Sequence, residues 1–575
     1  MFKLLLLLLC AITSAHQWTE TNLVVDDEKL VSFNIFLKLR NTDFIFSELR
    51  QISDPKSSRY TNYKTKEEIN EILRPNHNVD ELMDYLGKSK YCTDNVLAIS
   101  CKMPIWFAEY LFDSQFTTYQ NENTGKLRDV ADSYTVPHRF KDDVFYILGL
   151  VDFPENNEIK PKINWNFNDD QNVISRESLF SLYNITDEPQ NESSTSAVCE
   201  YQNDACFNMD DYRLFQTQNG MDNTTNVTIY GDCDTSTTDP DVEASLDLQF
   251  NCAVGNCAQQ QYISSPGWLM DVLQQMYAME KPPLVTSHSY GWFEGNQDMV
   301  IPGVDSETYV KQCNLMYATL SLMGSTFVVS SGDSGSATRT NEDCSLVPHF
   351  RAEYPASSPY VLSIGGTTFL NEVTGGTSPF CKTNKCVMHA DEINTMADNV
   401  GWCSGSSIAT FSDREWWAIE QNKKYLADPT ADFLPEPDQY PPLGRIVPDT
   451  TMMAHNYMVA MGGSFMPVDG TSASAPAFAG MVARLNSVRL NHGCKSVGLF
   501  GPLLYQMYDE CPTCFLDRVV GCSNSTESGD CNPPVKGLCA TKGYDAIYGL
   551  GLPNYGAMSD YVKKQCLNSK VQRNL

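Results

Sequence analysis

Beyond residue 171, apolar runs typical of β-strands alternate with stretches typical of helices. From Pro283 to Phe369 the runs PLVTSHSYG, ETYVKQCNLMYATLSLMG, STFVVSSGDSG and PYVLSIGGTTF follow one another. This alternation predicts a parallel sheet with helices on both faces. Functional loops in such sheets lie beyond the carboxyl ends of the strands. The loop SSGDSG, which directly follows the run TFVV, is therefore the first candidate for a functional site.

The region before this alternation predicts a smaller α/β unit. Between residues 30 and 150, strand-like segments (KLVSFNIFLKLR, NVLAISCKM) flank helix-like ones (NTDFIFSELRQI, TKEEINEILRP, VDELMDYLGKSK). Cys92 and Cys101 flank a short segment and are candidates to pair. The polar stretch from Pro154 to Asn172 is typical of a linker and of a site for proteolytic cutting. We expect boundaries at 1–15, 16–170 and 171–575.

The first 15 residues, MFKLLLLLLCAITSA, predict a secretory signal peptide, and no later apolar run is long enough for a membrane helix. The 20 cysteines, 19 after removal of the signal, suit an oxidising compartment, and the odd number leaves at least one thiol or an unusual pairing. We therefore expect a lysosomal or secreted protein. Five sequons predict N-glycans, at Asn184, Asn191, Asn223, Asn226 and Asn524.

The net charge is −30 and the isoelectric point is about 4.6. A chain this acidic repels nucleic acid, and no basic patch offsets the repulsion. Acidity of this degree is ordinary for a soluble protein. It also suits an acidic compartment, where part of the charge is neutralised.

The loop Ser330–Ser336 contains GDSG, the pattern around the nucleophile of chymotrypsin-like proteases. Such an enzyme needs a histidine in an Ala-His-Cys setting, and none of the eight histidines has that setting. The surrounding alternation also predicts an α/β fold instead of β-barrels. Gly335 is followed by Ser336, where the chymotrypsin pattern has a second glycine. We therefore expect that Ser334 is not a nucleophile.

A second serine motif, GTSASAP, spans Gly470–Pro476 and precedes an apolar helix-like run. A serine there would lie at a helix N-terminus, whose unpaired N–H groups can stabilise an oxyanion. The alternative is an N-cap serine of an ordinary core helix. A serine nucleophile needs a base, and the His-Gly-Thr motif of subtilisins is absent from the chain.

Glu243 and Asp247 are candidates for that base, because residues four apart lie on one face of a helix. Acidic pairs at this spacing are common in an acidic chain, so the pair alone is weak evidence. A glutamate base would work at acidic pH, where an imidazole is protonated.

Together, EASLD, SGDSG and GTSAS resemble the sedolisin family of serine-carboxyl peptidases. The resemblance covers nearly the whole chain: SDPKSSRYTNYKTKEEINEILRP is similar to the family's activation prodomain, and SYG, YPASSPYVLSIGGT and GRIVPD also fit. It implies an α/β fold, with a subtilisin-like, doubly wound parallel-sheet catalytic domain preceded by an α/β, ferredoxin-like prodomain. It also implies that the prodomain is an intramolecular inhibitor.

The resemblance assigns a role to each residue that matches the family's motifs. Ser472 would be the nucleophile, Glu243 the general base and acid, Asp247 the carboxyl that orients Glu243, and Asp333 the oxyanion-hole residue. An ionised Asp333 would repel an oxyanion, whereas a protonated one can donate a hydrogen bond to it. The three carboxyls would titrate as a coupled set.

The C-terminal segment resembles the family's calcium site. Two carboxylates and three backbone carbonyls would bind one Ca²⁺ as oxygen ligands, from Asp517, Arg518, Thr541, Gly543 and Asp545. The alternative is a glycine-rich turn with ordinary acidic residues. The comparison with the family also leads us to expect a disulfide between Cys522 and Cys539, with Cys344 and Cys531 as a further candidate pair.

The expected activity is peptide hydrolysis at acidic pH by a zymogen that releases tripeptides from the free N-termini of peptides or unfolded proteins. A tripeptide-releasing family member carries an acidic run after SYG, but here the run is WFEG and only Glu294 is acidic. An acidic endopeptidase therefore remains an alternative. A histidine-dependent subtilisin and an inactive peptide-binding relative are further alternatives, disfavoured by the missing His-Gly-Thr and by the four filled catalytic positions.

Overall fold

A computed structural model describes residues 18–75, 79–122, 125–152, 162–163, 171–186, 190–202, 206–255, 257–337, 350–428, 434, 440–524 and 537–573. Within these ranges no helix is both long and apolar enough to cross a bilayer. The predicted signal peptide, most of the predicted linker, Cys344 and Cys531 lie outside the described residues.

The N-terminal unit is built on a four-stranded antiparallel sheet in the order β3-β4-β2-β7, beside a three-stranded sheet β1-β5-β6. Its strands are β1 (Trp18–Glu20), β2 (Leu30–Leu37), β3 (Cys92–Asp94), β4 (Ala98–Pro104), β5 (Phe116–Asn121), β6 (Leu127–Ala131) and β7 (Val144–Leu148). Its helices are α1 (Thr42–Ser53), α2 (Lys66–Leu73), α3 (Val79–Tyr85) and α4 (Ile105–Phe112). The predicted α/β pattern and the Cys92–Cys101 disulfide are both confirmed.

The strands that follow run from the linker to the C-terminus. They are β8 (Lys162–Ile163), β9 (Asn172–Val173), β10 (Ser196–Glu200), β11 (Thr228–Tyr230), β12 (Gln260–Ser264), β13 (Val285–His288), β14 (Trp292–Phe293), β15 (Thr326–Ser330), β16 (Glu353–Tyr354), β17 (Leu362–Gly375), β18 (Lys385–Asn394), β19 (Ser407–Asp413), β20 (Gly444–Val447), β21 (Thr450–Met453), β22 (Tyr457–Met461), β23 (Ser464–Asp469), β24 (Phe515–Leu516) and β25 (Leu552–Pro553).

The main domain is organised around a sheet in the order β11-β12-β10-β13-β15-β17-β18-β9, with β21 also paired to β17. Strands β11 to β17 are parallel along this order, and β18 is antiparallel to β17. The helices of this domain are α5 (Arg176–Leu182), α6 (Met209–Gln218), α7 (Val242–Val254), α8 (Leu269–Ala278), α9 (Ser306–Leu322), α10 (Ala397–Val400), α11 (Ile419–Leu426), α12 (Thr471–Asn491), α13 (Gly501–Glu510) and α14 (Tyr555–Arg573). The predicted parallel α/β fold is confirmed.

Helices α7 and α12 lie side by side in the core and run in the same direction. Asn251, in the third turn of α7, donates to the carbonyl of Pro476 in the second turn of α12, and Gly255 contacts Gly480 further along. A Cβ on Gly480 would lie 2.7 Å from the backbone nitrogen of Gly255, so the close approach requires glycine. The parallel alignment places both helix N-termini at the same end of the domain.

The N-terminal unit docks on the face of the main domain that carries α8 and α9. The Tyr63 ring lies against Gly324 and Gly498, and its hydroxyl donates to the carbonyl of Ser496 at 2.8 Å. Phe46 stacks on Tyr360 with ring centroids 5.4 Å apart. Strand β8 of the linker pairs antiparallel with β23, the strand that leads into the serine motif of α12.

Candidate active site

The starts of two helices determine where the predicted catalytic residues lie. The Asp241 carboxylate accepts N–H groups from Glu243 and Ala244 at 2.8 and 3.2 Å, so α7 begins at this N-cap. Glu243 then lies in the first turn and Asp247 one turn later. Ser472 is the second residue of α12, and Gly470 before it has a φ of 141° that permits the turn into the helix.

Ser289 connects the serine with the carboxyl pair. It follows β13, and its hydroxyl lies 2.7 and 2.8 Å from the two carboxylate oxygens of Asp247, to which it donates. The Ser472 hydroxyl donates to the backbone carbonyl of Ser289 at 3.3 Å. From the sequence, SYG was recognised only as a motif that matches the sedolisin family. The contact explains the motif physically, because Ser289 is held at the end of a central strand beside both groups.

Glu243 and Asp247 are 3% and 0% exposed, so both carboxyls are withdrawn from water. Burial, and then the charges of Asp247 and Glu200, raise the pKa of Glu243 well above its ordinary value, and the Ser472 hydroxyl partly offsets the rise. Burial also raises the pKa of Asp247, against hydrogen bonds from Ser289 and Glu243. Two adjacent carboxyls in this setting favour a state in which one retains a proton.

The Ser472 hydroxyl is close enough to Glu243 to affect its pKa, yet its best-aligned hydrogen bond is to Ser289. Among the described residues, neither carboxylate oxygen of Glu243 accepts a hydrogen bond of ordinary geometry. A small rotation of the hydroxyl would redirect its proton to Glu243. Catalytic hydrogen bonds commonly tighten only when substrate is bound, so this arrangement suits a serine and its base at rest.

Asp333, and not Ser334, faces the start of α12. One oxygen of Asp333 accepts both the backbone N–H and the hydroxyl of Thr471 at 2.8 Å, and the other lies 3.0 Å from the position of a Cβ on Gly470. Ser334 is 1% exposed, and its hydroxyl has no hydrogen-bond partner among the described residues. The structure therefore brings Asp333 to the residues that flank Ser472.

Glu200 is a buried carboxyl at this site that the sequence did not indicate. It ends β10, accepts a hydrogen bond from the Tyr290 hydroxyl, and raises the pKa of Glu243 through its charge. Its position at the carboxyl end of a central strand was the feature that could have identified it as a site residue. One glutamate among 71 acidic residues gave no pattern to select it.

His288 is the histidine that ends β13, directly before Ser289. Its ring nitrogens contact the hydroxyls of Tyr201 and Thr286, and burial lowers its pKa to about 3. It is committed to these partners and not to Ser472. This arrangement does not provide the histidine base of a subtilisin-type triad.

Glu294 does not face a peptide-binding surface. It is 0% exposed, and its carboxylate accepts the backbone N–H of Thr410 and the hydroxyl of Ser357. Burial raises its pKa to about 7. Glu294, the acidic residue in the run after SYG, therefore holds the segment around Thr410 in place. Its carboxylate is not accessible to the amino group of a substrate in this structure.

The predicted calcium ligands meet in one loop region. Asp517 accepts the backbone N–H of Gly543 at 2.9 Å, and Asp545 accepts those of Thr541, Ile547 and Tyr548 at 2.8 to 2.9 Å. The buried Thr541 hydroxyl has no partner among the described residues. Two carboxylates and an orphaned hydroxyl fit a hard cation. Over the described ranges, no group of three or more His, Cys, Asp or Glu residues suits a metal, so further ligands would be carbonyls.

Two cysteine predictions concern the same segment. The Cys522–Cys539 disulfide is confirmed. Cys344 and Cys531 fall outside the described residues, so that pairing stays a prediction.

The burial of Glu294 predicts that the folded protein is more stable at acidic pH. Its pKa is 4.5 when unperturbed and about 7 in the folded chain, so between these values the folded state retains a proton that the unfolded state has lost. This contribution, about 3 kcal/mol, is fully present below pH 4.5 and is lost as the pH rises through 7. In Ser472→Ala protein, which lacks the candidate nucleophile, Glu294→Gln should therefore flatten the decline of Tm between pH 4.5 and 8. The exposed control Glu307→Gln should not, and equal slopes in all three proteins would contradict this interpretation.

Comparison with known proteins gives the same interpretation. Residues 16–153 match the Pro-kumamolisin activation domain, and residues 252–496 match the subtilase family. Physarolisin of Physarum polycephalum is 28% identical over 562 residues, spanning 95% of this chain and 96% of its own. Human tripeptidyl-peptidase 1 is 26% identical over 564 residues, spanning 93% and 92%.

The crystal structure of Pseudomonas sedolisin, a serine-carboxyl proteinase complexed with pseudo-iodotyrostatin, superimposes with a TM-score of 0.52 at 19% identity. It covers 68% of this chain and 98% of its own, and it shows the fold alone. The fold, the activation domain and the relatives agree with one another. The chain therefore combines a Pro-kumamolisin activation domain with a subtilase-family domain, is similar to physarolisin and tripeptidyl-peptidase 1 over nearly its whole length, and is a serine-type peptidase.

Proposed function

We propose that the mature enzyme hydrolyses peptides at acidic pH with Ser472 as nucleophile, and that it releases tripeptides from free N-termini. The observation that supports this most is the meeting of Ser472 with the buried Glu243–Asp247 pair at two parallel helix N-termini. Asp333 lies against the residue before the serine. The relatives named tripeptidyl-peptidase 1 support the tripeptide product.

The mechanism follows from these positions. Ser472 Oγ attacks the scissile carbonyl carbon while its proton passes to Glu243, and the carbonyl π electrons move to the oxygen. A protonated Asp333 donates a hydrogen bond to that oxyanion, and the N-terminus of α12 adds favourable potential. The C–N bond then breaks, and Glu243 returns the proton to the departing amine. Water, with Glu243 again as base, hydrolyses the acyl-enzyme.

Asp247 is a positioning residue in this scheme. Its carboxylate lies beside Glu243 and is held by the Ser289 hydroxyl. Its charge raises the pKa of Glu243. A base with a raised pKa accepts the serine proton more readily, provided that Glu243 is ionised when the serine attacks.

The activation domain is expected to block this site until it is removed. It covers the α8–α9 face, and the linker strand β8 runs beside β23, close to the start of α12. We infer activation by cleavage in an acidic compartment, either lysosomal or extracellular. Predicted glycan acceptors at Asn184, Asn223, Asn226 and Asn524 are exposed, and Asn191 is partly exposed, as glycosylation in the secretory pathway requires.

The roles of the opening loop can be separated by mutation. Asp333→Ala should lower kcat by about 10²- to 10³-fold, because it removes an oxyanion donor. Asp333→Asn keeps a donor and should lose less, while Ser334→Ala should retain activity within a few-fold and Ser472→Ala should abolish it. Turnover of a tripeptide reporter by acid-processed enzyme, measured from pH 3 to 8, gives these values. A loss in Ser334→Ala as large as that in Asp333→Ala would overturn the assignment.

Product analysis tests tripeptide release directly. A ten-residue peptide with a free N-terminus should yield successive tripeptides from that end. Its N-acetylated form should yield almost none, because a tripeptidyl-peptidase selects the scissile bond by its distance from the free amino group. Mass spectrometry identifies the products. Internal cleavage of both peptides at similar rates would instead establish the acidic endopeptidase. Absence of cleavage by processed enzyme at every pH would favour the peptide-binding relative.

We further propose that one Ca²⁺ binds at Asp517 and Asp545, with carbonyls of Arg518, Thr541 and Gly543 as the other protein ligands. Asp545 is 0% exposed, so its charge needs compensation that its three backbone N–H donors provide only in part. The ion would fasten the loop that follows Cys522–Cys539. Ser523, beside the bonded Cys522, supports the SSGDSGS turn through its hydrogen bond with Ser336 at 2.6 Å.

Removal of calcium should destabilise the protein without unfolding the N-terminal unit first. A calcium chelator should lower the Tm of the full chain by about 5 °C, added Ca²⁺ should restore it, and Mg²⁺ should not. Asp545→Asn should have a low Tm that no longer responds to Ca²⁺, whereas the exposed control Asp560→Asn should respond like the wild type. An unchanged Tm after chelation would exclude the site.

A further inference from the structure

A large cleft lies between the sheet of the N-terminal unit and the main domain, with a volume of about 1270 Å³. Asp241, the N-cap of the helix that carries Glu243 and Asp247, lines this cleft, and so does Asp271 in the first turn of α8. The cleft therefore borders the proposed catalytic residues. Removal of the N-terminal unit would open its main-domain wall to substrate.

The two walls of the cleft differ in charge. Among the described residues, the main-domain wall carries four carboxyl groups and no lysine or arginine: Asp232, Asp239, Asp241 and Asp271. The opposite wall carries four cationic side chains and two carboxyl groups: Lys29, Lys102, Lys126, Arg128, Asp129 and Asp152. In the zymogen, an acidic wall beside the catalytic helix is thus covered by a surface with net positive charge.

Asp271 is the acidic side chain that the N-terminal unit engages directly. The side-chain amide of Asn34 donates to its carboxylate at 3.1 Å. In the zymogen, burial and then the charge of Asp152 raise the pKa of Asp271 to about 7, and the hydrogen bond from Asn34 and the nearby Arg128 guanidinium partly offset the rise. The other carboxylate oxygen lies against Gly267, where a Cβ would be only 1.8 Å away. Glycine at this position therefore leaves room for the carboxylate.

Two stacked tryptophans lie beside Asp271. The rings of Trp268 and Trp292 are 3.8 Å apart and nearly parallel, and both residues line a smaller pocket together with Asp271. Trp292 lies three residues after Ser289, which contacts Asp247. A carboxylate next to indole rings is a setting that binds ammonium and guanidinium groups by charge and by cation–π contact.

We propose that Asp271, with Trp268 and Trp292, is a specificity site that binds a positively charged group of the peptide substrate after the activation domain has left. That group is either the free α-amino group or a lysine or arginine side chain. The inference rests on the proposed peptidase function and names its substrate class. Asp271 would then be the acidic residue that binds the cationic group of the substrate. Glu294 cannot take this role, because it is buried against Thr410 and Ser357.

The test compares acid-processed wild-type, Asp271→Asn, Asp271→Glu and Asp560→Asn enzymes, the last being an exposed control outside the cleft. The first substrate pair is a tripeptide reporter with a free or an acetylated N-terminus. The second is an acetylated internally quenched peptide that carries lysine or its uncharged isostere norleucine at single positions. The readout is the ratio of kcat/KM for the charged and the uncharged member of each pair at pH 5.

Wild-type and Asp560→Asn enzyme should prefer the charged member of one pair. Asp271→Asn should reduce that preference about tenfold, mainly through KM, as expected for loss of one partly solvated charge pair. Asp271→Glu should recover part of it. The pair that responds identifies the amino terminus or the side chain as the bound group.

An unchanged preference in Asp271→Asn would overturn the inference. If Asp271→Asn fails to process, equal rates of wild-type enzyme on both members of both pairs would overturn it equally. Absence of any turnover by the wild type would instead contradict the proposed peptidase function, and internal cleavage would contradict only tripeptide release.

Discussion

The carboxyl groups of Glu243 and Asp247, buried side by side, are the constraint on which the rest of the structure depends. Burying one charge costs several kcal/mol, and two like charges at this spacing repel each other. The fold compensates in three ways: Ser289 donates to Asp247, two helix N-termini add positive potential, and burial favours a proton held within the pair. The combined potential of the two N-termini requires that α7 and α12 start at the same end of the domain.

That alignment depends on the interior of the domain. Gly255 and Gly480 permit the two helices to touch, and Asn251 fixes their relative position through the carbonyl of Pro476. The parallel sheet then delivers Ser289 from β13 and Asp333 from the loop after β15 to the same edge. The proposed chemistry therefore uses the ordinary geometry of a doubly wound sheet, and the proposed activity at acidic pH follows from the use of carboxyls where a subtilisin uses an imidazole.

Much of this could be predicted from the sequence because its signals are local. Alternating strands and helices, a serine at the start of an apolar helix and a carboxyl pair at helical spacing each depend on neighbouring residues. The role of Glu200 depends instead on the position of β10 beside β13, which are far apart in the chain. The burial of Glu294 against Thr410 is equally non-local. Local patterns carry no information about such contacts, so these residues became visible only in the folded chain.

The same electrostatics connects the zymogen with its proposed substrates. A surface that binds a cationic group beside the catalytic helix must itself be acidic. Its carboxylates also repel the buried Glu243–Asp247 pair, and cations that cover the surface reduce this repulsion. The N-terminal unit provides that cover with Asn34 on Asp271 and Arg128 nearby. An inhibitor that occupies a specificity site in this way need not resemble a peptide backbone there. It needs only the charge and the hydrogen-bond donors that a substrate would bring, which is why a folded sheet can take the place of an extended peptide.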